Sequence, residues 1–109
     1  MNKPSSPLRM THATALVLQA LANGHAYGFD VMDATGLPGG TIYPALRRLE
    51  AHGLVQSHWE DGSLAQEQGR PSRKYYRLTE EGEAALQQAA ERFRLVGILG
   101  AQAAAEQQS

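Results

Sequence analysis

The sequence contains no cysteine. A disulfide framework, a thiolate metal site and a cysteine nucleophile are thereby excluded, and the absence fits a reducing compartment. Aromatic residues are scarce at 6%, with one tryptophan, Trp59. Long hydrophobic runs are missing too. The longest, Ala13 to Leu18, includes a threonine and falls far short of the roughly 20 residues a membrane helix needs. Met1 to Leu8 lacks the apolar segment of a secretory signal. A cytoplasmic protein with no membrane partner is expected. The four histidines, His12, His25, His52 and His58, have no metal-ligand spacing. No phosphate loop, nucleophile elbow or paired-carboxylate motif occurs. Neither a metal, a cofactor nor an enzymatic activity is expected.

What remains is a 109-residue chain with 42% hydrophobic and 19% charged residues, the composition of one soluble globular domain. Its net charge of −1 does not announce a nucleic-acid partner, but the distribution is uneven. Residues 41–77 hold six basic groups (Arg47, Arg48, Arg70, Arg73, Lys74, Arg77) against four acidic, a balance of +2. Residues 78–109 hold two basic against five acidic, a balance of −3. A phosphate-facing surface needs local positive charge, not a basic total.

Residues 1–10 read as a flexible arm, opening with MNKPSSP. Thr11 to Asn23 carries Ala13, Leu16, Val17, Ala20 and Leu21 at helical spacing, with Gly24 as a stop. Tyr27 to about Ala34 is a second, short helix, containing Phe29, Val31 and Met32, followed by the breakers Gly36 to Gly40. A third helix spans Thr41 to His52 and closes at Gly53; its start lies at Thr41 or a few residues earlier, at Pro38. The period then shortens. Leu54 to Glu60 and Lys74 to Leu78 read as strands joined by a polar loop, Asp61 to Arg73. Thr79 caps a final helix, with Glu80 and Glu81 in its first turn, running to about Ala105. The order α-α-α-β-β-α is that of a winged helix-turn-helix: mainly α with a β-hairpin wing, the third helix entering the major groove.

In the third helix Ile42, Ala45, Leu46 and Leu49 form the buried face, leaving Thr41, Pro44, Arg47, Arg48 and Ala51 opposite. Small and hydroxyl groups before an arginine suit close approach to a groove, where arginine reaches phosphate or a guanine edge. The plain alternative is a solvated basic face. In the wing, Gly69 to Arg77 carries four basic groups and no acid, so Arg70, Arg73 and Lys74 suit phosphate or the minor groove, or simply a soluble turn. Trp59, at the end of the first strand, reads as a packing residue.

Three motifs now stand in order: Tyr27-Gly28-Phe29-Asp30; Gly40-Thr41-Ile42-Tyr43-Pro44-Ala45-Leu46-Arg47-Arg48-Leu49-Glu50 with Gly53-Leu54-Val55; and Gly69-Arg70 through Lys74-Tyr75-Tyr76-Arg77-Leu78-Thr79-Glu80-Glu81-Gly82. Together, over residues 11–90, they resemble the PadR family of bacterial transcription regulators. The segment Thr35 to Gly40 departs from the longer one, ending in Ser-Pro-Gly, that the family often has. The resemblance implies a homodimer that binds double-stranded DNA at an inverted-repeat operator, usually as a repressor. It places DNA contacts at Tyr27, Thr41, Tyr43, Pro44 and Arg47, and in the wing at Arg70, Arg73 and Lys74. The chain length resembles the small subgroup with one C-terminal helix.

On that helix Leu86, Phe93 and Gly100 form one row, and Ala89, Val96 and Ala103 a second. Such rows make a seam for a partner helix, and a lone chain would leave the stripe in water. Residues 79–109 are thus expected to be the dimerisation helix, with Leu16, Leu86, Ala89, Phe93 and Val96 at the contact, beside a DNA-binding domain at residues 11–78. Folding back on its own domain is the alternative. In some small members an aromatic residue at a similar place faces a pore between subunits and stacks on planar drugs; this makes Phe93 the candidate contact for a small hydrophobic or aromatic effector. The competing function is a winged-helix module that binds protein rather than DNA.

Overall fold

The computed structural model describes residues 8–93. Its elements are α1 (His12–Ala22), α2 (Gly28–Thr35), α3 (Gly39–Ala51), β1 (Val55–Trp59), α4 (Gly62–Glu67), β2 (Lys74–Leu78) and α5 (Glu80–Phe93). The expected order is present, with one addition. The loop expected at Asp61 to Arg73 contains α4, whose cap is the Asp61 carboxylate accepting from the Ser63 amide at 3.0 Å. Polar residues dominate its six positions, so no apolar stripe reveals it; Ala65 alone is buried.

Helix α1 is the centre of the molecule. Thr11 caps it, its Oγ1 accepting from the Thr14 amide at 3.1 Å. Ala15, Val17, Leu18, Ala20 and Leu21 are all buried, more than one face, because α2, α3, α5 and β2 pack around it. Helix α3 contributes Ile42, Ala45, Leu46 and Leu49, each at most 1% exposed. It starts at Gly39 with Pro38 as cap, the earlier of the two expected starts, so Pro44 lies in the second turn. Proline has no N–H to donate there, leaving the Gly40 carbonyl without its helical partner. The helix ends in a Schellman turn: Leu54 N–H donates to Leu49 O at 2.9 Å and Gly53 N–H to Glu50 O at 3.0 Å, with Gly53 at φ +76°.

Strands β1 and β2 pair antiparallel, from Val55 opposite Leu78 to Trp59 opposite Lys74. The chain just before α2 adds a third edge: Tyr76 N–H donates to Ala26 O at 2.7 Å, and Tyr27 bridges Tyr75. This joins the wing to the helix-turn-helix. Tyr76 is buried, while Tyr75 stacks on His58 at a ring separation of 5.7 Å.

Helix α5 is preceded by Thr79, whose Oγ1 accepts from Gly82 N–H at 3.0 Å and donates to Gly53 O at 2.7 Å. Gly82, which by propensity only weakens a helix, is required here: a Cβ on it would lie 2.0 Å from Leu54 O. The helix then folds along α1. Leu86 and Ala89 are buried by their own chain, at 7% and 2% exposure. The expectation that a lone chain leaves this stripe in water is therefore corrected for Leu86 and Ala89. Leu16 and Phe93 are only half-buried, and the Phe93 ring meets His12 at 5.8 Å. Val96, Gly100 and Ala103 lie outside the described residues. Among the described residues, no helix is long and apolar enough to cross a membrane.

Candidate nucleic-acid interface

With its apolar face buried, α3 turns Tyr43, Arg47 and Arg48 outward; all three are exposed, and Thr41 and Pro44 are half-exposed beside them. Arg47 and Arg48 form no ion pair among the described residues. The Tyr43 ring lies across the start of α2: a Cβ on Gly28 would stand 2.2 Å from the Tyr43 hydroxyl. The glycine of the Tyr27-Gly28 pair thus makes room for the tyrosine of the third helix.

The wing is organised by one acid. Glu60 directly follows β1, with its side chain only 5% exposed. Its carboxylate accepts both guanidinium nitrogens of Arg70, one at 3.1 Å, the Arg73 amide at 2.8 Å and the Tyr75 hydroxyl at 3.4 Å. Its carbonyl accepts from Ser72 Oγ at 3.1 Å. The Arg70 hydrogen bonds, chiefly, hold the Glu60 pKa down to about 2 against the opposing effect of burial. Arg73 Cζ lies 4.1 Å over the Tyr27 ring, which meets Tyr75 edge-on at 5.6 Å. Lys74 approaches Glu50 only at 3.9 Å.

This constellation joins a helix-turn-helix to a cationic hairpin. The profile of the transcriptional regulator PadR-like family matches residues 17–88, more than half of the chain. The chain belongs to the PadR-like family of transcriptional regulators. Members of this family are transcription regulators and not enzymes. Among solved structures, a PadR family transcription regulator from Clostridium difficile R20291 is 28% identical, with a TM-score of 0.65 over 84% of this chain and 97% of that one. A PadR family regulator from Eggerthella lenta is 30% identical, with a TM-score of 0.57 over 75% of this chain and 74% of that one. BpsR of Bordetella bronchiseptica, whose DNA binding is regulated by 6-hydroxynicotinic acid, is 25% identical, with a TM-score of 0.63 over 80% of this chain and 60% of its own. No curated protein matches at a significant level.

Within this PadR-like domain, Tyr27, Tyr43, Arg70, Arg73 and Lys74 converge on one cleft between α2, the start of α3 and the wing. Thr41, Pro44, Arg47 and Arg48 lie along the outer face of α3. Arg70 differs from the free cation expected of a tip without acids, because Glu60 supplies the acid from the opposite strand. Glu60 is the residue the sequence reading misses, since its role depends on hairpin register. Trp59 also differs. It is 65% exposed and lines the cleft, because β1 carries it beyond the body of the domain. Phe29, which also lines the cleft, is 70% exposed, whereas Val31 of the same helix is buried.

Proposed function

We propose that this PadR-like regulator binds double-stranded DNA as a homodimer at an inverted-repeat operator and represses transcription from it. The observation carrying this reading is the outer face of α3. Arg47 and Arg48 stand there without acidic partners among the described residues, while the opposite face is held in the core. A groove would take that face, with Arg73 and Lys74 on the flanking backbone and Arg70 holding the wing's shape. Tyr27 and Tyr43 offer hydroxyls at the rim, and Thr41 and Pro44 form the low-profile part of the helix. Two-fold symmetry would set half-sites one helical turn, about 34–36 Å, apart.

The dimer contact uses the half-buried Leu16 and Phe93, with Val96 on the segment beyond. Leu86 and Ala89 support it from within the chain by seating α5 on α1. Ligand-controlled release of DNA is the finer part of the proposal. The 25% identity to BpsR supports it, and Phe93 is one contact for a planar effector.

Gel shifts with the protein's own promoter region, beside an unrelated duplex of equal length, test the reading. Preferential binding at moderate salt, together with a dimer mass by light scattering, is the expected result. Equal affinity for both duplexes, or no shift at low salt, defeats it.

A further inference from the structure

The cleft between α2, the start of α3 and the wing holds three rings that a paired duplex leaves largely idle. Phe29 and Trp59 are 70% and 65% exposed, and Tyr43 is 38% exposed. All three line the cleft, whose volume is about 480 Å³. None of the three stacks on another ring among the described residues, so their faces are open to one. Exposed apolar side chains clustered in this way mark a binding surface. A duplex stacks its bases on one another and shows a protein its phosphates, sugars and base edges. An unpaired strand differs, because its bases splay out and their faces stack on aromatic side chains. The charge of the cleft is one-sided, with no carboxylate among the described residues that line it. Glu60 takes Arg70, but Arg73 has no acidic partner among the described residues, and Lys74 has only the long 3.9 Å approach to Glu50. Each of these two cations sits against a ring, Arg73 at 4.1 Å from Tyr27 and Lys74 at 5.8 Å from Trp59. Cations beside open rings are the pattern of a single-strand groove, in which charge tracks the backbone and rings take the bases.

We propose that this cleft binds single-stranded DNA. Bases stack on Phe29, Tyr43 and Trp59, and the phosphates between them meet Arg73 and Lys74. Every base has a π-face, so the binding tolerates many sequences. The 2′-hydroxyl is the group by which a protein selects RNA, and no carboxylate lines the cleft to accept its proton. This activity lies beyond operator binding and does not depend on it, since Phe29 and Trp59 take no part in the duplex interface proposed above.

Anisotropy titrations of the full chain test the site, with a labelled mixed-sequence DNA strand of about 15 nucleotides, its RNA counterpart and an abasic DNA strand of the same length. The DNA strand should bind saturably, about fivefold or more tighter than the abasic one and no weaker than the RNA. It should also quench the fluorescence of Trp59, the chain's single tryptophan, whereas the abasic strand should not. Phe29→Ala and Trp59→Ala should each weaken strand binding by about fivefold or more. Both alter exposed side chains, so both should melt like the parent and keep its gel shift with the promoter duplex. If one variant melts lower, the other variant and the quenching decide. Abasic binding as tight as that of the intact strand overturns the proposal and leaves only a basic surface. Tighter binding of the RNA overturns the assignment to DNA. Equal losses for strand and duplex in the variants overturn a separate activity and place the rings in the operator interface. No binding of any strand, with the duplex shift intact, overturns the site and leaves the operator reading standing. Strand binding without preference for the promoter duplex removes the operator reading and supports the site.

Discussion

Glu60 and Arg70 lock the wing from within: a carboxylate 5% exposed takes both guanidinium nitrogens of an arginine 19% exposed, ten residues along the chain. The pair encloses α4 and the turn at Gly69, and it also fixes the Arg73 amide. Arg73 is thereby held where its own side chain faces outward over Tyr27. One ion pair thus orients a second cation.

The wing should therefore loosen in acid. The carboxylate's pKa falls from its ordinary 4.5 to about 2 in the folded chain, so its contribution is complete above pH 4.5 and is lost as pH falls through 2. Protection of the Arg73 amide from hydrogen exchange, measured against an unstructured peptide at the same pH, should fall as pH drops across that window. Glu60→Gln should show the lower protection already at neutral pH, and with a flatter pH profile.

Arg70 and Arg73 should separate in DNA binding despite their proximity. Arg73→Gln and Arg47→Gln each remove a cation that has no acidic partner among the described residues, so each should lower the slope of log affinity against log salt by about 1. Arg70→Gln removes a paired one. It should weaken binding through a looser wing, with a smaller change in slope. Anisotropy titrations at several salt concentrations read all three.

Gly82→Ala should be the costliest small change on α5. The added methyl would meet Leu54 O at 2.0 Å, and a backbone carbonyl held in the turn after α3 cannot swing aside. Overpacking of this kind costs about 1–3 kcal/mol, visible as a lower urea midpoint at unchanged m-value. Gly62→Ala, which meets open space, is the control.

Thr79→Ala should cost about 1 kcal/mol, the usual value of a helix cap. It also removes the 2.7 Å hydrogen bond to Gly53 O, which ties the start of α5 to the end of α3. Thr79→Ser keeps both bonds and should recover most of the loss in thermal melts.

Much of this fold was legible because its signals are local. Thr11 and Thr79 announce helix starts, Gly53 a stop, and the spacing of Ile42, Ala45, Leu46 and Leu49 a buried face. Each depends on neighbours within a turn or two of the chain. Helix α4 was not legible, because six mostly polar residues carry no period and only the Asp61 cap marks them. Nor was the fate of Trp59. Strand alternation places it on the face of buried Val55, but only the length of the hairpin beyond the core decides that it meets solvent.

The sequence by itself determined the order of elements apart from α4, the two faces of α3, the family and the cationic character of residues 41–77, since periodicity and residue chemistry are properties of short segments. Only the tertiary structure decided which cations are free. Hairpin register sets Glu60 against Arg70, the packing of α2 on α3 sets Tyr43 over Gly28, and α5 on α1 buries Leu86 and Ala89. These are contacts between residues distant in the chain, and their formation depends on which surfaces are brought together when the core closes.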